Sequence, residues 1–181
     1  MKPSLRTLGL VTSALLACGA AGLAVADSGD DDDDDNVAPV TNATYAEECG
    51  ACHMAYQPGL LTAAAWQQIM RTDALADHYG DDASLSNDLS AEITAYLSAN
   101  SAGKASRSRA FAVGNTGGVT LPRITQTRYF VKEHDEIPAR MVADNADVGS
   151  FSNCNACHQG AAEGVYDEDR VKIPGFGRWE D

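Results

Sequence analysis

Apolar residues recur at helical spacing in several short segments of this chain, and turn residues separate the segments. One such stripe predicts a helix from about Ser86 to Ala99. Its apolar members are Leu89, Ile93, Tyr96 and Leu97. A second helix is predicted to follow Thr62, a suitable N-cap. Its buried face would hold Ala63, Trp66, Ile69 and Met70.

The segments beside these two helices are shorter. A helix from Thr41 to Glu48 is expected before the second one. At 100° per residue, His78 is out of phase with the stripe at Ile69, so we expect a break at Thr72-Asp73. A further short helix would then place Ala74, Leu75 and His78 on one face and end at Gly80 as a C-terminal cap.

In the second half, Pro122 is predicted to open a helix that presents Phe130, Val131 and His134 on one face. Pro138 would restart the helix as far as Asp144. Ser152 and Asn153 are suitable caps for a turn that begins at residue 154. No strand alternation and no nucleotide-binding glycine pattern is found, so the fold class is predicted to be mainly α with extensive loops.

The N-terminus has the pattern of an export signal. Lys2 and Arg6 precede an apolar run from Leu8 to Ala17, and Ala24-Val25-Ala26 resembles a signal-peptidase site. Residues 1–26 are therefore predicted to be a signal peptide, and the mature protein to lie in the periplasm. A membrane anchor is disfavoured because the apolar run is shorter than about 18 residues. A lipoprotein signal with a lipidated Cys18 is the minority alternative.

Acidic residues are concentrated in the first half of the chain. Without Lys2 and Arg6 the protein has 11 basic and 26 acidic residues, a formal charge of 11 − 26 = −15, which argues against a nucleic-acid partner. Residues 27–36 include an unbroken run of six aspartates and are predicted to be a disordered leader. A calcium loop would need spaced ligands and a turn glycine. Residues 37–102 still hold eight acids and one base, which predicts an acidic docking surface.

Two five-residue motifs of identical spacing carry the candidate chemistry: Cys49-Gly50-Ala51-Cys52-His53 and Cys154-Asn155-Ala156-Cys157-His158. The pattern C-x-x-C-H is the attachment site of haem c. Positions i, i+3 and i+4 share one face of a helical turn, so two thiols can bond one porphyrin edge while the imidazole reaches the iron. A pair of CxxC disulfides or a four-Cys zinc site would leave the repeated histidine unexplained. We therefore predict two covalently attached haem c groups, with His53 and His158 as proximal iron ligands.

Two histidines remain for the two open axial positions. His78 lies 25 residues after His53, and His134 lies 24 residues before His158. We predict His78 and His134 as the sixth ligands. Their spacing favours the pairs His53 with His78 and His158 with His134, and the crossed arrangement stays an alternative.

Three methionines are rival ligands. Met54 is too close to the first motif to reach the other face of the porphyrin, and Met70 and Met141 are more typical of core filler. In the tail, Val171, Ile173, Phe176 and Trp179 are expected to close over a porphyrin.

These features predict a small two-lobed protein in which each lobe is organised around one haem. The first haem lobe would span residues 37–102 and the second residues 121–181. Residues 103–120, rich in glycine and serine, would be a connecting loop. The bases Lys104, Arg107 and Arg109 in this loop could pair with haem propionates or be merely solvated.

Further residues support a family resemblance over roughly residues 45–175. Besides the two motifs and the two further histidines, they are Tyr56, Pro58, Leu60, Leu61, Trp66, Tyr79-Gly80, Arg123-Ile124-Thr125 and Ile173-Pro174. In this combination the chain resembles the bacterial dihaem cytochrome c family known as DHC. The resemblance implies a periplasmic electron carrier with two bis-histidine haems. It also implies redox partners: a small oxygen-binding cytochrome c as acceptor and a membrane cytochrome b as possible donor.

The expected function is outer-sphere electron transfer, because irons with two imidazoles each are low-spin and closed to substrates. The alternative is a dihaem enzyme, a peroxidase or small-molecule reductase, which needs one open or displaceable axial position. A haem-based sensor is a third reading, but no signalling domain accompanies the haem region.

Overall fold

Two packed helices form the core of the first half of the chain. The computed structural model describes residues 36–104 and 121–179. The helices of the first half are α1 (Ala43–Gly50), α2 (Ala63–Ile69), α3 (Thr72–Leu75) and α4 (Asn87–Ala99), with a 3-10 turn at Pro58–Leu60. All described residues belong to one compact unit.

The predicted stripes of α2 and α4 are buried against each other. Ile93 and Leu97 of α4 are completely inaccessible to solvent, and Trp66 of α2 is 4% exposed. The Trp66 indole donates a 2.8 Å hydrogen bond to the carbonyl of Pro58, which satisfies its N–H inside the core. Tyr45 of α1 packs into the same cluster.

Side-chain caps determine where these helices begin. The hydroxyl of Thr62, the predicted N-cap, accepts from the N–H of Ala65 at 3.2 Å. The Ser86 hydroxyl accepts from the N–H of Leu89 at 3.3 Å, at the predicted start of α4. The helix expected from Thr41 instead begins at Ala43, because Asn42 is the N-cap.

The predicted helix through His78 is wrong. α2 ends at Ile69, α3 ends at Leu75, and His78 lies in a tight turn beyond the helix. The His78 N–H donates to the carbonyl of Asp81 at 2.7 Å, while Tyr79 adopts a φ of +59° and Gly80 a φ of +111°. This left-handed turn reverses the chain, so a helix cannot continue to Gly80.

The second half contains one α-helix, several 3-10 turns and a small hairpin within its described residues. Helix α5 spans Arg128–His134. The 3-10 turns are Ile124–Gln126, Ala139–Met141, Cys154–Ala156, Ala161–Glu163 and Glu168–Arg170. Strands β1 (Lys172–Ile173) and β2 (Gly177–Arg178) pair antiparallel, with Lys172 opposite Arg178 and Ile173 opposite Gly177. The hairpin was not predicted.

The predicted helices of the second half are longer than the observed ones. The helix expected from Pro122 begins only at Arg128, because the buried Thr127 caps α5 by accepting from the N–H of Phe130 at 3.2 Å. Val131 is 51% exposed, whereas Phe130 and His134 are half-buried, so Val131 does not share their face. The helix expected from Pro138 to Asp144 is only a three-residue turn.

Two expectations about the C-terminal region are also wrong. The Asn153 side chain does not cap the turn at Cys154 and donates instead to the carbonyl of Val148 at 3.2 Å. Phe176 lies at the hairpin tip and is 48% exposed, whereas Val171 and Ile173 are buried. Only part of the predicted apolar set therefore faces inward.

Hydrogen bonds join the first described residues, Asn36 and Val37, to the region around Gly164 in the second half. The Val37 N–H donates to the carbonyl of Gly164 at 2.9 Å, and the Tyr166 N–H donates to the Asn36 side chain at 3.1 Å. Val37 also packs with Leu60 in a small core cluster to which Tyr166 contributes. The two halves of the chain are thus tied together near the N-terminal segment.

Several predictions concern residues that the structure does not describe. The signal peptide, nearly all of the acidic leader and most of the connecting loop, including Arg107 and Arg109, lie outside the described residues. Within residues 36–104 and 121–179, no helix has the length and apolar character needed to cross a membrane. The boundaries of the two lobes stay predictions.

Candidate functional site

The first CxxCH motif begins in the last turn of α1. Cys49 is in the helix and contacts the core cluster of the first half, while Cys52 and His53 follow in the exposed turn. Tyr45, three residues beyond the N-cap, anchors this helix because its hydroxyl donates to the carbonyl of Tyr56 at 2.7 Å. The core of the first half therefore fixes the position from which the motif projects.

The structure brings His53 and His78 together. Their ring centroids are 6.4 Å apart and their planes differ by 19°. With metal–imidazole bonds of about 2.0 Å and ring centroids about 1.1 Å beyond each nitrogen, an iron between two coaxial imidazoles needs about 6.2 Å. The separation of this pair fits an iron between the two rings.

The second motif lies opposite α5. His134, the last residue of α5, has its ring centroid 6.1 Å from that of His158, and the two planes differ by 61°. This separation also fits an iron between two imidazoles. The His134 ring stacks on Phe130, one helical turn earlier, at 3.9 Å and 6°, and meets the edge of Phe151 at 5.7 Å.

Two of the four histidines are held by their own local backbone. Nδ1 of His53 is 2.7 Å from the carbonyl oxygen of Met54, and Nδ1 of His134 is 2.9 Å from that of Phe130. A metal-binding histidine commonly donates its second ring N–H to such a carbonyl, which leaves Nε2 for the metal. In contrast, Nδ1 of His78 and of His158 is buried and has no hydrogen-bond partner among the described residues.

A largely apolar cavity surrounds the second motif. Its lining includes His134, His158, Cys154 and Cys157. Aromatic and aliphatic side chains complete the lining, including Phe130, Phe151, Tyr166, Val171 and Trp179. Val171 and Trp179, two of the residues expected to close over a porphyrin, are part of this lining. Such a lining suits the faces of a porphyrin.

Burial favours the neutral form of two motif thiols and of one imidazole. It raises the pKa of Cys49, with a smaller contribution from Glu48, to about 11, and it raises the pKa of Cys154 to about 11. Burial, followed by the neighbouring His134, lowers the pKa of His158 to about 4, so this imidazole is in the neutral form that binds metals.

The arrangement fits two haems better than it fits the other cysteine chemistries. The four cysteines among the described residues, those of the two motifs, are free thiols and form no CxxC disulfide. In the described part of the chain, no group of three or more His, Cys, Asp and Glu residues is placed to hold a metal ion, which argues against a four-Cys zinc site. The residues present instead give two pairs of thiols and two facing pairs of imidazoles.

The contacts of Tyr56, Gln57 and Tyr166 around the histidines were not predicted from the sequence. The ring of Tyr56 stacks on that of His53 at 4.8 Å, and the ring of Tyr166 meets that of His158 at 5.4 Å. The buried Gln57 side chain accepts a hydrogen bond from the Tyr166 hydroxyl. Tyr56 lies three residues after His53, but this segment is not helical, so helical spacing could not have indicated the contact. No local signal could have identified Tyr166.

Comparison with known proteins decides the family. The model of the dihaem cytochrome c family matches residues 45–166. The chain belongs to the dihaem cytochrome c family. Two haem c groups are therefore its cofactors, and electron transfer is the activity that the family implies.

Solved structures of dihaem cytochromes c share this fold. One from Shewanella baltica is 44% identical, with a TM-score of 0.64, and the match covers 77% of this chain and 98% of the other. One from Rhodobacter sphaeroides is 38% identical, with a TM-score of 0.60, and the match covers 72% of this chain and 100% of the other. These matches confirm the predicted mainly helical fold with extensive loops. No curated protein matches the chain.

Proposed function

We propose that this dihaem cytochrome c carries electrons in the periplasm, with each iron bound by two histidines. His53 and His78 would be the ligands of the first haem, and His134 and His158 those of the second. The observation that supports this ligand set is the spacing of the two ring pairs, 6.4 Å and 6.1 Å, close to what an intervening iron requires.

The protein would hold each haem iron between two imidazoles and keep both imidazoles in place. When bound, the two haems supply one-electron Fe(III)/Fe(II) chemistry. His134 is kept in place by a helix, by its bond to the Phe130 carbonyl and by stacking on the Phe130 ring. His78 is kept in place by the hydrogen-bonded turn with Asp81. With no coordination site left for a substrate, outer-sphere electron transfer is the remaining activity.

Ferric spectra test this proposal against the enzyme alternative. Low-spin signals from both sites, with no cyanide or nitric oxide binding at rest, support the carrier. A high-spin fraction that binds these ligands readily would support a peroxidase or reductase instead. Magnetic resonance of the wild type and of His78→Met and His134→Met variants assigns the ligands, because each variant should convert one haem to His/Met ligation.

The reduction potentials of both haems should be low. Bis-histidine ligation favours ferric iron relative to methionine–histidine ligation. The excess of acids in the first half also disfavours adding an electron, so the first haem should have the lower potential. A redox titration measures both potentials, and a high value of the methionine–histidine kind at either haem would contradict the ligand set.

The acidic surface of the first half is the proposed docking site for redox partners. Asp77 and Asp81 are exposed on either side of His78. A basic partner, such as a small oxygen-binding cytochrome c or a membrane cytochrome b, would dock transiently and lose affinity as salt rises. The double variant Asp77→Asn/Asp81→Asn should slow exchange at low salt. The matched control is Asp144→Asn/Asp147→Asn, in residues 103–181, which hold 10 bases and 11 acids.

The periplasmic location rests on the N-terminal signal pattern. Cleavage after Ala26 would start the mature chain at Asp27. N-terminal sequencing and fractionation of the expressed protein test this, and a lipid on Cys18 would show as a mass increase and membrane association.

A further inference from the structure

The four facing histidines are oriented in two different ways. His53 and His134 each have Nδ1 within hydrogen-bond distance of a nearby backbone carbonyl. His78 and His158 have a buried Nδ1 without such a partner in the described ranges. Each facing pair therefore contains one histidine that its own local backbone orients and one that must be oriented by other contacts.

A tyrosine contacts each of the two histidines that lack the carbonyl. The ring of Tyr79 meets His78 edge-on at 4.7 Å and 65°. The ring of Tyr166 meets His158 edge-on at 5.4 Å and 62°. The two contacts have nearly the same geometry although the tyrosines differ in sequence position, one directly after its histidine and the other eight residues later.

Each tyrosine is fixed by a hydrogen bond to the opposite half of the chain. The hydroxyl of Tyr79 donates to the carbonyl of Pro122, and the guanidinium of Arg123 lies over the Tyr79 ring at 4.1 Å from its centroid. The hydroxyl of Tyr166 donates to Oε1 of Gln57 at 2.6 Å. Tyr79, in the first half, is thus held by the second half, and Tyr166, in the second half, is held by the first half.

Hydrogen bonds hold the Gln57 side chain in one orientation, with its oxygen as the acceptor for Tyr166. The Gln57 side chain is completely buried, and its amide nitrogen donates to the carbonyl oxygens of Ala161 at 2.6 Å and Ala162 at 3.3 Å. Both ends of the amide are therefore engaged, and its oxygen points at Tyr166 without freedom to turn away. A hydrogen bond to such a group restricts the ring of Tyr166, and hence the space that His158 can occupy.

We propose that Tyr79 and Tyr166 are positioning residues that set the ring planes of His78 and His158, each through a hydrogen bond to the other half of the chain. The inference rests on the proposed bis-histidine ligation. Each half then orients one axial ligand of the haem in the opposite half. The twist between ligand planes, 19° in one pair and 61° in the other, is held in this way by contacts between the halves.

The test compares tyrosine-to-phenylalanine variants of the oxidised holoprotein, because these keep the ring and remove only the hydrogen bond. Paramagnetic resonance and the shifted methyl NMR signals of the haems report ligand-plane orientation separately for each haem. Tyr79→Phe should shift the signals of the first haem alone, and Tyr166→Phe those of the second haem alone. Tyr96→Phe is the control. It removes the hydroxyl that accepts from the Thr41 N–H at 2.9 Å, and Tyr96 contacts none of the four histidines, so the signals of neither haem should shift.

Gln57→Leu provides an independent arm of the same test. It should shift the second haem in the same direction as Tyr166→Phe, and the double variant should shift it no further, because both changes break one contact. If Gln57→Leu does not fold, Tyr166→Phe decides alone. The proposal is overturned if each tyrosine variant shifts both haems equally, if neither shifts any signal, or if the double-variant shift is the sum of the single shifts.

The wild-type spectrum separates this inference from the proposed function. Two low-spin signals in the wild type with no response to the variants would reject only the positioning role. A wild type with high-spin iron would reject the ligand set itself.

Discussion

Gly164 is the residue at which the N-terminal segment meets the second half, and replacing it should be costly. An alanine Cβ at this position would lie 2.2 Å from the carbonyl oxygen of Val37, and the residue has a φ of +81°. Gly175 is a matched control, because its φ is +78° and nothing lies within 4 Å of the Cβ position. The pair Gly164→Ala and Gly175→Ala therefore separates the cost of the backbone conformation from the cost of the clash.

The two variants should differ by a measurable free energy of unfolding. A left-handed alanine costs about 1–2 kcal/mol at either position. At Gly164 the backbone of Val37 must also move by about 1 Å to restore a normal contact, which breaks the 2.9 Å bond from the Val37 N–H. Losing that bond costs about 1 kcal/mol. Exposing the buried Val37 side chain adds about 1.5–3 kcal/mol.

We therefore expect Gly164→Ala to be less stable than Gly175→Ala by about 2.5–4 kcal/mol. The effect of alanine on the unfolded chain is common to both variants and cancels in the difference. Guanidinium unfolding of the oxidised holoprotein, followed by far-ultraviolet circular dichroism, measures the two values. A difference below about 1 kcal/mol would mean that the N-terminal segment is not held against Gly164.

Three further substitutions have defined outcomes. Tyr45→Phe removes the donor to the Tyr56 carbonyl and should lower the free energy of unfolding by about 1–3 kcal/mol in the same denaturation assay; no change would mean that the carbonyl finds another partner. Thr127→Ala removes the cap of α5 and should cost about 1–2 kcal/mol, with Thr127→Ser restoring most of it. Phe130→Ala removes the ring stacked on His134 and should alter the NMR signals of the second haem; equal changes at both haems would contradict a local contact.

The first half could be predicted well because its helices have a protein core. The apolar stripes of α2 and α4 and the caps Thr62 and Ser86 are local signals, and packing in the structure agrees with them. The turn at His78 could not be predicted, because it needs a left-handed conformation at Tyr79, a residue that seldom adopts one. Contacts with Pro122 and Arg123, far away in sequence, compensate for that conformation.

The second half was predicted less well, since local propensity there is weak. The short 3-10 turns show no apolar period, and several of them lie at the second motif or beside its cavity. Phe176 and Val131 illustrate the limit: both are apolar and were expected to face inward, yet both are exposed. The motif residues themselves could be recognised from spacing alone, whereas Gln57 and Tyr166 are brought together by the fold.

The pairing of the N-terminal segment with the region around Gly164 is one of the longest-range contacts of the described chain in sequence, which limits when it can form. Asn36 and Tyr166 are 130 residues apart in sequence, so this contact forms only after almost the whole chain has been synthesised. Val37 can pack on Leu60 of the first half before then, but the hydrogen bonds of Asn36 and Val37 have no partner. The native hydrogen bonds of the earliest described residues therefore need both halves of the chain.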